Sequence, residues 1–195
     1  MIDFGSTPPI PQFNPTSKEH LANYRRVYKS SEARAQGEAD PKGALASYLA
    51  AYDEAGVSTI VVKARDVETT FGLKIKNEDV SEFCKQQNGR FIGFAGVDPH
   101  KGIAAIRELE HAVRVLGLRG LNIQCFENKV AINDPKLYPL YAKCIELGVP
   151  VNIHVGINFS TASSMEYGRP ALLDQVMMHF PDLKVIASPP GWPWI

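Results

Sequence analysis

Two short stretches carry the clearest chemical pattern in the chain. Leu121-Asn122-Ile123-Gln124-Cys125 and Val151-Asn152-Ile153-His154-Val155 both alternate apolar with polar side chains. Successive side chains of an extended strand point to opposite faces. Asn122 and Gln124 therefore share one face of their strand, and Asn152 and His154 one face of theirs. A buried polar group without a partner costs on the order of 1–3 kcal/mol, so these groups imply a pocket in which each is paired with a neighbour, water or a ligand. An imidazole at the end of a buried strand, as His154 would be, suits metal ligation or general-base work. The competing reading of His154 is a pocket histidine satisfied by its neighbours.

Charge joins this set from two other apolar runs. One ends at Lys63, with Arg65 and Asp66 just beyond, and another leads into Asp98 and His100. Lys63 reads equally as a buried lysine with a shifted pKa and as a strand-end charge reaching water. Cys125 has no evident base beside it and reads as a buried thiol rather than a nucleophile. His100 follows Pro99 and reads as a solvated loop residue. His20, His111 and His179 fall within helical patterns and read as surface groups.

The elements that must position these residues follow from periodicity. Apolar runs rich in Val, Ile and Phe span residues 1–5, 58–63, 91–97, 118–124, 149–155 and 183–187, and they read as strands. Helical spacing fills the gaps. Ile103, Ile106, Leu109, Val113 and Leu116 form one apolar stripe. Asp134 is placed to cap a helix starting at Pro135 and ending at Gly148, with Leu137, Leu140, Tyr141, Cys144 and Ile145 inward. Residues 171–180 form a third helix burying Leu172, Leu173, Val176, Met177 and Phe180. Residues 43–55 form a fourth, with Leu45, Tyr48, Leu49 and Tyr52 inward and Gly56 as terminator.

Strands alternating with helices imply parallel βα units, here about six in one domain spanning residues 1–195. Residues 8–42 are an excursion after the first strand, with one amphipathic helix over 18–35. The fold class is α/β, either an open doubly wound sheet or a (β/α)₈ TIM-like barrel. No GxGxxG or GxxxxGK[ST] is present, and Ser6-Thr7-Pro8-Pro9 is not a helix start, which weakens the open-sheet alternative. In either architecture function collects at the C-terminal ends of the strands, where these polar residues lie.

Bulk composition excludes several classes. A formal net charge of zero argues against nucleic acid and anionic membranes as partners. No apolar run approaches the roughly 20 residues of a membrane span, and the N-terminus lacks the basic and apolar regions of a secretory leader. Cys84, Cys125 and Cys144 form no CxxC and no even-numbered framework, so they read as reduced thiols of a cytoplasmic protein.

In their order, "MIDF…PP", "FIGFAGVDP", "LGLRGLNIQ", "LYPLYAKCIELGVPVNIHVG", "HFPDLKVIAS" and "GWPW" resemble the amidohydrolase-2 group. These are (β/α)₈ barrels related to aminocarboxymuconate-semialdehyde decarboxylase and the resorcylate decarboxylases. The resemblance implies hydrolysis or decarboxylation of a small cyclic or aromatic carboxylate, helped by one divalent ion, zinc or manganese. It carries the fifth-strand metal ligand onto His154. The other family histidines fall on Gly5, Thr7 and Pro189, and an eighth-strand aspartate would lie beyond Ile195.

On this reading His154, Lys63 and Asp98 are the catalytic candidates, and Arg65, Asn122, Gln124 and Asn152 bind substrate. The missing imidazoles favour a metal-free version in which His154 is the base. The alternative is a non-catalytic relative that binds a small molecule or forms an oligomer. Six strands cannot close at normal barrel geometry. The expectation is therefore a chain that continues past Ile195, or a homo-oligomer whose neighbour fills the gap.

Overall fold

The computed structural model describes residues 1–5, 7–13, 19–28 and 37–194. Eight strands are present among them: β1 (Ile2–Asp3), β2 (Thr59–Lys63), β3 (Arg65–Val67), β4 (Leu73–Ile75), β5 (Phe91–Gly96), β6 (Leu121–Ile123), β7 (Val151–His154) and β8 (Val185–Ser188). Six form one parallel sheet in the order β1-β2-β5-β6-β7-β8, while β3 and β4 make a separate antiparallel hairpin. The large sheet adds strands in strict chain order. A doubly wound sheet reverses direction at a switch point, and this one never does. The winding is that of a barrel, and the sheet curls as part of one.

The helices are α1 (Ala22–Tyr28), α2 (Pro41–Glu54), α3 (Glu68–Phe71), α4 (Asn77–Gln86), α5 (Ile103–Arg114), α6 (Cys125–Asn128), α7 (Tyr138–Leu147) and α8 (Leu172–His179). The core lies between the sheet and its helices. Ile60, Val62, Leu121, Ile123, Val151 and Ile153 pack there with Leu109, Leu140, Tyr141, Cys144 and Val176. The alternation expected of β6 and β7 is thus realised on its apolar side.

Several expectations shift by a turn. The strands expected over 1–5 and 118–124 are shorter, and the last strand runs to Ser188 instead of starting at Leu183. Asp134 caps a turn through the Lys136 amide at 2.9 Å, so the regular helix begins at Tyr138 rather than Pro135. Gly148 ends it in the left-handed conformation as expected, at φ 67°. In α5 the buried stripe is Ala105, Leu109 and Ala112, and Ile103 is exposed. The two alanines let the helix lie close to the sheet. Met177 is likewise exposed, with Val176 the buried contact of α8.

Of the helix expected over 18–35, α1 and a preceding 3₁₀ turn (Glu19–Leu21) are seen. Positions 14–18 and 29–36 lie outside the described residues, as does Ser6. The hairpin β3–β4 and helix α4 are additions to the expected elements.

One close approach positions the site. After Lys63 the chain crosses the end of β5, and a Cβ on Gly96 would fall 2.4 Å from the Ala64 carbonyl carbon and the Arg65 nitrogen. Asn77, at the start of α4, replaces the missing strand partner there. Its side chain donates to the Gly96 carbonyl at 3.1 Å and accepts from the Gly96 amide at 2.9 Å. Gly96→Ala is expected to lower stability by about 1–3 kcal/mol, the usual cost of overpacking, in urea unfolding. An unchanged midpoint would show that the crossing backbone gives way.

Candidate functional site

Two polar groups face the inside of the curl. The first is an amide cluster on β6 and β7. Asn122 and Asn152 stand opposite each other in register, and both are buried. Asn122 Nδ2 donates to the Ala64 carbonyl at 3.0 Å. Its Oδ1 accepts from Asn152 Nδ2 at 3.0 Å and from Gln124 Nε2 at 3.2 Å. The shared face read from the alternation is thus realised as one hydrogen-bonded unit.

The second is a charged group at the C-terminal strand ends. Arg65 lies two residues past β2 and donates to both oxygens of Glu127, at 3.1 and 2.9 Å. Glu127 sits on α6 with no exposure at all. His20 Nε2 donates to the same carboxylate at 3.0 Å, and its ring stacks on Phe71 at 3.7 Å between centroids. Burial alone would raise the Glu127 carboxyl. The Arg65 charge and the bonds from His20 and Arg65 outweigh it and hold the group below the ordinary glutamate range.

Lys63 and His154 complete this group. Lys63 Nζ donates to the Phe4 carbonyl beyond β1. Burial, with the neighbouring Arg65 charge, lowers its pKa to about 8 despite the opposing pull of Asp3. The His154 ring packs on Phe126 at 4.6 Å. Burial lowers its pKa to about 4. Glu127 pulls the other way, while the Lys63 and Arg65 charges add to the lowering. At neutral pH His154 is therefore an uncharged imidazole, within electrostatic reach of two cations and one carboxylate.

The other sequence candidates fall elsewhere. Asp98 is fully buried, and its two oxygens accept from the Thr69 and His100 amides, both at 2.9 Å. It ties the loop after β5 to α3. His100 is half-buried rather than solvated, and its Nε2 donates to the Asn128 carbonyl at 2.6 Å. His20 is buried, contrary to its reading as a surface group, because it packs between Glu127 and Phe71. His111 and His179 are exposed as expected. Burial pushes the Cys125 thiol up to about 12, so it is no nucleophile at neutral pH.

Glu127 was absent from the sequence candidates. Its signal was weak: an acidic residue in the apolar-flanked "CFENKV", directly after the Asn122–Gln124 strand.

Among the described residues the donor set does not by itself make a site for a divalent ion. A catalytic zinc site takes about three protein ligands. Among the described residues no group of three or more His, Cys, Asp or Glu side chains is placed to hold one. Gly5, Thr7 and Pro189, where the resemblance to the amidohydrolase-2 group would place histidines, offer no imidazole, and the charges of Lys63 and Arg65 oppose a cation beside His154.

A family model described as Amidohydrolase matches residues 20–195. Over 78 residues the chain is 31% identical to 2-amino-3-carboxymuconate-6-semialdehyde decarboxylase of Dictyostelium discoideum, a stretch making up 40% of this chain and 22% of that relative. The chain thus spans about a fifth of the curated relative it matches. An uncharacterised TIM-barrel protein from Bordetella bronchiseptica superposes with a TM-score of 0.74 at 24% identity, covering 100% of this chain and 68% of that one. A dihydroxybenzoic acid decarboxylase from Polaromonas, with bound manganese and the inhibitor 2-nitroresorcinol, gives a TM-score of 0.56 at 21% identity over 87% of this chain and 61% of that one. At these identities the two structures bear on the fold alone, and they agree with a partial TIM barrel.

Glu127→Ala leaves Arg65 without its counter-charge, and a loss of about 3–5 kcal/mol is expected, as for breaking a buried pair. The depressed Glu127 carboxyl contributes stability above its unfolded pKa, about 4.3, and that contribution is lost as pH falls toward the lower folded value. Glu127→Gln should therefore flatten the acid side of the stability profile. Acid unfolding curves of parent and variant that run parallel below pH 4.5 would contradict this role.

Proposed function

The chain belongs to the amidohydrolase family, and on that premise we propose that it is an enzyme acting on a small cyclic or aromatic carboxylate by decarboxylation or hydrolysis. One observation carries the reading. His154 is an uncharged, mostly buried imidazole beside Lys63 and Arg65, at the C-terminal strand ends where barrels of this kind keep their chemistry. The curated relative named above is a decarboxylase, which supports the reaction class.

In this reading the two cations receive the substrate carboxylate, and Glu127 holds Arg65 in place for it. The amide cluster lies one layer below and orients the rest of the molecule. His154 stays neutral above about pH 4 and so is available as a base. Lys63, with its pKa near 8, is the better proton donor at neutral pH. In hydrolysis His154 takes the proton from water and Lys63 returns one to the leaving group. In decarboxylation the Lys63 proton goes to the ring carbon as carbon dioxide departs. Asp98 acts through the backbone that it ties down.

No step uses a metal. The manganese of the Polaromonas enzyme belongs to that protein, and His154 is the one family ligand position among the described residues that keeps its imidazole. The free, buried thiols Cys125 and Cys144 support a reducing, cytoplasmic setting.

A second reading, a binding protein without turnover, is favoured by Gly5, Thr7 and Pro189 at the family histidine positions. An assay of carbon dioxide release and hydrolysis over a panel of benzoates and unsaturated cyclic acids separates the two. Under the enzyme reading His154→Ala lowers kcat by about 10²–10⁴-fold with an unchanged circular dichroism spectrum. Binding without turnover in the parent supports the second reading.

The Lys63 charge is lost as pH rises through about 8, so carboxylate affinity should fall there. Lys63→Met should weaken binding roughly ten- to hundredfold and abolish that limb. A limb that persists in the variant would assign it to another group.

A further inference from the structure

The orientation of the amide cluster is decided by one backbone atom. The Ala64 carbonyl can only accept, so the group that Asn122 presents to it, 3.0 Å away, is its NH₂. Asn122 Oδ1 must then face the other way. There it takes Asn152 Nδ2 at 3.0 Å and Gln124 Nε2 at 3.2 Å, which occupies both lone pairs. Turning the Asn152 amide over would set two oxygens against each other. Asn152 Oδ1 is therefore held away from Asn122, and it has no hydrogen-bond partner among the described residues.

Asn152 is only 1% exposed. On its other flank the residue in register is Ile186 of β8, whose side chain has nothing to donate. His154 lies two residues further along the same face, about 6.6 Å away by the rise of a parallel strand. A buried acceptor left unpaired is costly, and it rejects ligands that cannot pair with it.

We propose that Asn152 Oδ1 is a specificity-determining acceptor that takes a hydrogen bond from a neutral O–H or N–H on the ligand, one layer below His154. The proposal rests on the carboxylate reading above, with the acid group held at Lys63 and Arg65. A cationic donor is disfavoured because the Lys63 and Arg65 charges already act on His154, two residues further along the same face of the strand. The ligand is then bifunctional, with an anionic end at the strand ends and a donor pointing down into the curl.

The test is calorimetric titration of the protein with benzoate and with its hydroxy, methoxy, amino and dimethylamino derivatives at each ring position. At one position the hydroxy or amino acid should bind roughly tenfold tighter than its methylated counterpart, the worth of one hydrogen bond. The arm that shows the preference tells oxygen from nitrogen donors. In Asn152→Leu the ratio should fall to near one. If that variant does not fold, Asn152→Ala, which removes the same acceptor with less bulk, supplies the comparison. Ratios near one at every position, with benzoate still bound, overturn this proposal and leave the carboxylate reading standing. A preference equal in parent and variant assigns the donor to another residue and also overturns it. Failure of every acid to bind overturns the carboxylate reading and takes this proposal with it.

Discussion

A single carboxylate with no exposure holds the top of this half-barrel together. Glu127 sits in the short helix after β6, yet its partners come from the excursion, through His20, and from the start of β3, through Arg65. Thr70, between the hairpin strands, donates to the Glu127 carbonyl at 2.7 Å. An isolated buried carboxylate is very expensive, so the three segments must converge for the charge to be tolerated. The excursion is also pinned where Tyr24 stacks on Phe126 at 6.3 Å and meets Phe159 at 5.3 Å. His154 packs on that same Phe126, so the ion pair indirectly sets the surroundings of the imidazole.

Desolvation and charge then divide the labour at the site. The same burial that removes the proton from His154 lowers Lys63 toward neutral pH. One group becomes an uncharged imidazole and the other an amine that titrates near 8. A second charged cluster does a different job. Asp66 is buried, and Lys101 and Lys74 bond to it at 2.7 and 2.9 Å. Burial works to raise the Asp66 carboxyl, and the two ammonium groups outweigh it, so the group lies below its ordinary value. This pairing fixes the hairpin rather than opening toward the imidazole.

Much of the fold was legible because it rests on local patterns. The strands β2, β5 and β7 lie within the apolar runs, and α7 ends at Gly148 as its sequence indicates. The choice of barrel over doubly wound sheet needed the strand order itself. Of the site, the face shared by Asn122, Gln124, Asn152 and His154 was legible, since alternation places side chains whatever the rest of the chain does. Glu127 and His20 were not. They are 107 positions apart, and neither neighbourhood hints at the other. His20 in particular looks like any polar residue of a surface helix until the excursion is folded down.

The amino-acid sequence by itself determined which residues face which way: apolar toward the helices, amides and imidazole toward the inside of the curl. Parity and periodicity are properties of neighbouring residues, so they survive without a partner strand. Only the tertiary structure decided which of those side chains touch, and in what state of charge. Whether Lys63 is a shifted buried amine, whether His154 is neutral and which way the Asn152 amide points all depend on desolvation and on donors many positions away. Those terms act through space, and no stretch of sequence contains them.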